Sequence, residues 1–205
     1  MLVAPFDLAS RFREKILRER DHARAGKPAR IIAKLNSLVD EGIIEALYEA
    51  SAAGVKIDLI VRGVCCLRPQ LPGVSENIRV VSIVGRFLEH SRIFYFENDG
   101  KPEVYLGSSD WMPRNFYRRV EVSFPVESAP LRDEIIHEIL PAFLSDCVKA
   151  RELQNDGSYV RLRAPKGGKA SQAQLFFRER SRKHAAPVPD AKSAPEPRLV
   201  PIHQP

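Results

Sequence analysis

The segment Arg30–Gly63, "RIIAKLNSLVDEGIIEALYEASAAGVKIDLIVRG", decides the fold class of this chain. Its first apolar run, "RIIAKL", predicts a short buried strand. Apolar side chains at helical spacing then predict an amphipathic helix over residues 39–53, which ends at Gly54. The β-branched run "VKIDLIVRG" predicts a second strand directly afterwards. A strand, a helix and a strand in succession indicate an α/β domain.

Further elements are predicted on both sides of this segment from apolar periodicity and turn residues. They are a helix over 7–25 with Asp7 as its cap, a strand over 77–85, a hairpin over 92–111 with its turn at 98–100, a strand over 118–127, a helix over 129–150 that Pro141 can kink, and a small hairpin over 155–163. The predicted architecture is therefore a mixed sheet flanked by helices, without an internal repeat.

Composition excludes several classes of protein. The chain has 205 residues, of which 44% are hydrophobic, and no apolar run approaches the length of a membrane span. The N-terminal sequence "MLVAPFDLASRFREK" lacks the features of a secretory signal. Three cysteines, with Cys65 and Cys66 adjacent, fit neither a disulfide framework nor a metal-ligand spacing. We therefore expect reduced thiols in a cytoplasmic protein.

The net charge of +6 is concentrated in the C-terminal segment. Residues 165–205 carry eight basic and three acidic residues, or +5, which leaves +1 for residues 1–164. The near-neutral body gives no general reason to expect nucleic-acid binding. Seven of the sixteen prolines also lie in 165–205, so we predict a domain over 1–164 and a basic, proline-rich, largely disordered tail over 165–205, with disorder throughout 185–205.

Polar and cationic residues flank several of the predicted strands. Ligands bind α/β sheets where strand ends open onto loops, so groups from several strands can meet in one cleft. Such a cleft would suit a phosphate-bearing oligo-anion, because arginine binds phosphate oxygens bidentately. Glycines and serines at 63 and 107–109 would allow close backbone approach. The candidates are Lys34 and Asn36 after the first strand, Arg62 after the second, His90 and Arg92 before the fourth, and Arg114, Asn115, Arg118 and Arg119 near the strand over 118–127.

Each candidate also has a purely structural explanation. An Arg-Gly pair after a strand is typically a solvated turn, and a lone loop histidine is more often structural than catalytic. Because neighbouring strand residues point to opposite faces, Arg118 and Arg119 cannot both enter one cleft. The pattern leaves an anion site and a set of unrelated surface residues both open.

A first resemblance rests on the spacing His90-x-Arg92, then Glu97, then Gly107-Ser108. This spacing resembles a variant of the H-x-K-x4-D…G-S motif of the phospholipase D superfamily. Arginine replaces the lysine, glutamate replaces the aspartate, and the gap to the Gly-Ser pair is longer. These departures speak against ordinary phosphodiesterase activity.

A second resemblance is closer and nearly continuous over residues 2–163. The strings "KPARIIAKLNSLVD", "ASAAGVKIDLIVRGVCCLRP", "GRFLEHSRIFYFENDG", "VYLGSSDWMPRNFYRRVEVSFPV" and "ELQNDGSYVRL" resemble the C-terminal catalytic part of bacterial polyphosphate kinase of the phospholipase-D-like type. The resemblance implies that residues 1–164 form one phospholipase-D-like subdomain. It also implies that the subdomain carrying the phosphorylated histidine, and a large N-terminal portion, lie outside this chain.

The resemblance further implies reversible transfer of the terminal phosphate of ATP to inorganic polyphosphate, with Mg²⁺. Arg62 matches a nucleotide-binding arginine, His90 a nucleotide contact and general acid, and Arg119 an arginine on the phosphate side of the nucleotide. Lys34 and Asn36 join them from the strand-end argument alone. The implied partners are nucleotide, polyphosphate and the missing upstream domains, in an oligomeric full-length protein.

Two alternatives stay open. The chain could be a catalytically idle module that holds nucleotide or polyphosphate through Arg62, His90 and Arg119. It could instead be a phosphodiesterase that dimerises so that two copies of His90 meet.

Overall fold

The computed structural model describes residues 1–164 and 166–184, and the strands within these ranges form a single nine-stranded sheet. The strands are β1 (Leu2–Ala4), β2 (Arg30–Leu35), β3 (Lys56–Val61), β4 (Ile78–Ile83), β5 (Arg92–Phe96), β6 (Glu103–Gly107), β7 (Glu121–Pro125), β8 (Ala150–Leu153) and β9 (Tyr159–Arg161). The helices are α1 (Leu8–Arg24), α2 (Glu41–Ala52), α3 (Pro113–Arg118), α4 (Ala129–Glu134), α5 (Leu140–Leu144) and α6 (Ala173–His184).

The sheet is mixed, as the sequence predicts, with the order β1-β7-β6-β5-β2-β3-β4-β8-β9. Strands β2, β3 and β4 are parallel, and the other neighbours are antiparallel. β2 and β3 are buried over five of their six residues, because helices cover both faces at the centre of the sheet. The predicted α/β class is confirmed.

Two apolar layers hold the helices to the sheet. On one face, α1 and α2 pack on a cluster in which Phe12 lies 4.6 Å from Phe94, and Phe94 stacks on Trp111 at 5.1 Å between ring centroids. On the other face, α5 and α6 cover a second cluster in which Phe143 and Phe177 are 4.9 Å apart. No helix of the described residues is long and apolar enough to cross a membrane.

The predicted helix over 129–150 is wrong at its C-terminal end. After α4, residues Ile135–Ile139 form a π-helical turn, α5 ends at Leu144, and the chain then enters β8. Asp146 stops the helix, because its Oδ1 accepts hydrogen bonds from the backbone N–H groups of residues 148, 149 and 150 at 3.0, 2.7 and 3.3 Å. Its Oδ2 accepts from Ala173 N at 2.9 Å, which ties the start of α6 to this turn.

The C-terminal segment is more ordered than predicted. Residues 173–184, which the sequence assigns to a largely disordered tail, form α6 and pack on the sheet through Ala173 and Phe177. The predicted domain boundary after residue 164 stays a prediction. The disorder predicted for 185–205 lies outside the described residues.

Smaller differences from the predictions occur in the β8–β9 hairpin and at the start of α1. The hairpin predicted over 155–163 is longer, because β8 already begins at Ala150 and pairs with β9. Asp7 does not cap α1 with its side chain and instead accepts a hydrogen bond from Val3 N at 2.7 Å. The hairpin turn at 98–100 is confirmed, and all three of its residues have positive φ.

Candidate functional site

The predicted strand ends converge on one edge of the sheet. β2 and β3 run in parallel, so Lys34, Asn36 and Arg62 lie at their carboxyl ends. β5 is antiparallel to β2, with Lys34 opposite Ile93, which brings the segment containing His90 to the same edge. Arg92 pairs with Gly107 and Gly107 with Ser123, so the end of β6 and the start of β7 also lie here.

Lys34 is a buried cation at the centre of this edge, with 4% of its surface exposed. Its Nζ donates to the carbonyl oxygen of Ser91 at 3.1 Å, pairs with Glu89 at 3.4 Å and lies 4.7 Å from the ring centroid of Phe143. Burial lowers the pKa of Lys34, against the attraction of Glu89, and the neighbouring cations Arg62 and Arg92 lower it further. A bound anion would offset the cost of burying this positive charge.

Asn36 and Arg62 are joined directly across the two parallel strands. Arg62 Nε donates to Asn36 Oδ1 at 3.0 Å, and the backbone of Gly63 donates to Asn36 O at 2.7 Å. Asn36 is 7% exposed, and its buried Nδ2 has no hydrogen-bond partner within the described part of the chain. Buried polar groups are rarely left unsatisfied, so this amide is available to a ligand oxygen.

His90 lies in the exposed loop that leads into β5. Its carbonyl oxygen accepts a hydrogen bond from Arg92 Nη1 at 2.8 Å, whereas no bond to its imidazole is found among residues 1–164 and 166–184. The loop is also held by Glu89, which accepts from Ser91 N at 3.1 Å and Ser91 Oγ at 2.6 Å. A backbone fixed in this way leaves the imidazole free to meet a substrate.

Arg92 is engaged by the protein. Its Nε and Nη2 donate to the two carboxylate oxygens of Asp110 at 3.2 and 3.1 Å, and Asp110 Oδ1 also accepts from Asn36 N at 2.7 Å. Glu97, the other member of the phospholipase-D-like spacing, lies at the opposite end of β5 and accepts a hydrogen bond from Tyr95. The structure does not bring Glu97 into the site.

Arg119 directly follows α3 and is exposed. It precedes β7, whose first residues lie at the same sheet edge. No hydrogen bond or ion pair of its guanidinium is found in the two described ranges. Arg114 and Arg118 on α3 are also exposed. The structure therefore places Arg119 on the β7 side of the edge without linking it to Arg62 or His90.

The glycine and serines at 107–109 have structural roles that differ from the predicted approach to a ligand. A Cβ on Gly107 would lie 2.7 Å from Val122 O, so the close approach is between β6 and β7. Ser108 donates a short hydrogen bond to Glu121, and Ser109 is buried and donates to Asp110 O at 2.7 Å. These three residues therefore hold this edge of the sheet together through contacts within the protein, and they do not line a ligand site.

Three carboxylates of this edge were not predicted from the sequence as site residues. Glu89 holds the His90 loop, Asp110 holds Arg92, and Glu121 accepts from Ser108 and from Asn115 Nδ2 at 2.6 Å. Each is thus already hydrogen-bonded to the protein, and no group of three metal-ligating side chains occurs in the described residues. These side chains do not fit a Mg²⁺ cage.

A cavity of about 470 Å³ opens beside Arg62, on the β4–β8–β9 side of the edge. It is lined by Arg62, Gly63, Ser82, Val84, Val148, Lys149, Arg151, Tyr159 and Arg161. Four of these nine residues are cationic and none is acidic. Three of these cations, Lys149, Arg151 and Arg161, were not predicted from the sequence as site residues.

The chain matches the family model described as "Polyphosphate kinase C-terminal domain 2" over residues 1–174. It is 56% identical over 173 residues to a polyphosphate kinase of Paraburkholderia phytofirmans, covering 84% of this chain and 25% of that protein. It is 51% identical over 193 residues to a polyphosphate kinase of Synechocystis, covering 94% of this chain and 26% of that protein. The chain thus spans about a quarter of the length of these curated relatives.

Solved structures agree in fold. The structure of a polyphosphate kinase from Porphyromonas gingivalis superposes with a TM-score of 0.83 at 42% identity, over 89% of this chain and 28% of that one. The phospholipase D family member Nuc from Salmonella typhimurium superposes with a TM-score of 0.51 at 14% identity, over 75% of this chain and 95% of Nuc, and shows the shared fold alone. With the matched domain covering most of its length, the chain belongs to the polyphosphate kinase family and has that family's C-terminal, phospholipase-D-like fold.

Proposed function

We propose that this chain is the C-terminal part of a polyphosphate kinase that reversibly transfers the terminal phosphate of ATP to inorganic polyphosphate. The phosphate would pass through a phosphohistidine on a subdomain outside this chain. The observation that carries the proposal is the sheet edge itself, where strand register brings Lys34, Asn36 and Arg62 to the side of the sheet that also holds the His90 loop. Within the described residues, Asn36 Nδ2 has no hydrogen-bond partner there. This chain therefore supplies binding and proton-donating groups, and the missing upstream domains supply the nucleophile.

The roles follow from the chemistry of phosphoryl transfer, which depends on positioning and on compensating charge on the phosphate oxygens. Arg62 and Arg119 would bind the nucleotide phosphates. Lys34 and the Asn36 amide would donate to non-bridging oxygens near Arg62. His90 would donate a proton to the leaving oxygen of ADP as general acid.

Other parts of the proposal rest on the resemblance alone. Mg²⁺ is expected with the nucleotide, and we assign it no ligand in this chain. A cytoplasmic location and an oligomeric full-length assembly complete the expectation. Isolated from the upstream domains, the chain should be inactive.

The test uses labelled ATP and polyphosphate, with the chain alone and with the upstream portion supplied in trans. We expect polyphosphate growth on complementation only, and a fall in turnover of about 10²–10⁴ for His90→Ala. His137→Ala is the matched control, since His137 is exposed on the π-helical turn. A His90→Ala effect confined to nucleotide affinity would remove the general-acid role, and growth of polyphosphate by the chain alone would remove the dependence on a missing nucleophile.

The same assay separates the two alternatives. A non-catalytic module would bind nucleotide or polyphosphate and give no transfer even on complementation. A dimeric phosphodiesterase would hydrolyse a generic phosphodiester, an activity that the geometry does not favour because Arg92 is paired with Asp110 and Glu97 lies at the opposite edge.

A further inference from the structure

The cavity beside Arg62, which we call the cationic cavity, continues the site across three more strands. Its lining comes from the end of β3, from β4, and from the β8–β9 hairpin with the loop that precedes it. Neighbouring strands lie about 4.8 Å apart, so the distance from β3 to β9 is about 14 Å. The cavity is therefore longer than a single phosphate group requires.

The strand register places its charges in one transverse row. Ser82 of β4 is opposite Arg151 of β8, and Arg151 is opposite Arg161 of β9. Directly opposite residues share a face of the sheet, and like charges in this arrangement destabilise the pair. The two arginines therefore lie side by side at a cost to the fold.

Among the described residues, no carboxylate pairs with Arg151 or Arg161 to offset this cost. Glu152 follows Arg151 in β8, so its side chain points to the opposite face of the sheet. There its carboxylate pairs with Arg79 at 2.9 Å. Arg161 Nη2 donates to Val148 O at 3.0 Å, a neutral acceptor. For the Arg151 side chain, no hydrogen bond or ion pair is found within residues 1–164 and 166–184. Unpaired cations in a concave surface create a positive potential that attracts anions.

A turn ordered by Asp146 brings Lys149 to the same cavity. The Asp146 carboxylate accepts from its backbone N–H at 2.7 Å and, on the same oxygen, from residues 148 and 150. Asp146 itself is 1% exposed and does not line the cavity. The acidic group thus orders the loop from inside while the lysine faces the cavity.

We propose that the cationic cavity is a binding site for a linear polyanion, inorganic polyphosphate, which extends from Arg62 past Lys149 and Arg151 to Arg161. This inference rests on the proposed function and assigns the path of the polymer beyond the nucleotide-binding arginine. Single-stranded nucleic acid fits less well, since such sites stack successive bases on aromatic rings and the cavity offers only Tyr159.

The test is direct binding of polyphosphate of defined chain length to the 205-residue chain. We expect the double variant Arg151→Gln/Arg161→Gln to bind it at least about tenfold more weakly than the wild-type chain. The slope of log affinity against log salt should become shallower by about 1.4, or about 0.7 for each lost contact. Arg24→Gln/Lys56→Gln, which removes two exposed cations away from the site edge, is the matched control and should bind like the wild-type chain.

The outcomes separate this inference from the proposed function. Equal affinity of the double variant and the control, or no binding of polyphosphate by the wild-type chain, would overturn the inference. Tighter binding of a single-stranded oligonucleotide of equal charge would overturn it as well. Phosphate transfer on complementation is measured in a separate assay. If no transfer occurs, the proposed kinase function is refuted. A loss of polyphosphate binding in the double arginine variant would still support the polyphosphate site. Because the variant removes a like-charge pair, thermal unfolding should show it at least as stable as the wild-type chain.

Discussion

Replacing Asp110 by alanine should lower the free energy of unfolding by about 3 kcal/mol, because it leaves the Arg92 charge without its buried partner. The Asp110 side chain is 11% exposed and that of Arg92 is 17% exposed. Removing one partner of a buried pair typically costs about 3–5 kcal/mol. We take the lower value since Arg92 keeps its bond to His90 O and some contact with water.

The loss extends beyond the ion pair. Asp110 Oδ1 also accepts from Asn36 N at 2.7 Å, so the variant leaves a backbone donor unpaired at the end of β2. The His90 loop should consequently become more mobile. Hydrogen exchange at residues 89–92 should therefore accelerate along with the global loss of stability.

Urea unfolding of the chain measures the effect, with Asp133→Ala on the exposed side of α4 as control. A double-mutant cycle with Arg92→Met isolates the pair, and we expect a coupling energy of about 1–3 kcal/mol. The double variant should be less destabilised than the sum of the single ones, since it leaves no unpaired charge. A coupling below about 0.5 kcal/mol would refute the pairing. Arg92 would then be free to bind substrate phosphate.

Three further predictions concern titration, thiol reactivity and packing. Burial lowers the pKa of Lys34, so ATP affinity should fall as the pH is raised above neutrality and Lys34 loses its charge before an ordinary lysine would. Lys34→Arg should keep its affinity over the same pH range, and identical binding profiles of the two proteins would contradict this. Burial raises the pKa of Cys65 to about 11, so its thiolate fraction at about pH 8 is about one thousandth, and mass spectrometry after brief alkylation should find the exposed Cys66 modified first. Gly107→Ala would place a Cβ 2.7 Å from a backbone carbonyl oxygen of β7. It should lower the free energy of unfolding, measured by chemical denaturation, by about 1–3 kcal/mol. The control Gly42→Ala, whose Cβ meets nothing closer than 3.6 Å, should leave the free energy of unfolding undiminished.

Local signals predicted the centre of the fold well. The apolar runs of β2 and β3, the helical spacing of α2 and the turn at 98–100 act over a few residues, and these elements occur where they were expected. The helix that was predicted to reach residue 150 failed for a physical reason. Its apolar periodicity continues past the point where the Asp146 side chain captures three backbone N–H groups and ends the helix. β1 was not predicted, because its three residues are too few to show a hydrophobic period.

The residues of the candidate site could be named from the sequence, but their contacts could not. The sequence places Lys34, Asn36, Arg62 and His90 beside strand ends, and the sheet brings these ends to one edge because β5 runs antiparallel to β2. That Arg92 is bound to Asp110, eighteen residues away, depends on the fold of the loop after β6. An ion pair between groups distant in sequence leaves no periodic signal.

The sequence by itself determined the α/β class, the central strands and the cationic residues at their ends, since hydrophobic periodicity and turn chemistry are local properties. Only the tertiary structure decided which cations pair with a carboxylate, as Arg92 does with Asp110, and which line a cavity, as Arg151 does. Arg151 and Arg161 become neighbours through the register of a hairpin, and they open onto the same cavity as Arg62 because β8 pairs with β4. Strand order and register depend on the packing of the whole sheet, and they turn scattered charges into one surface.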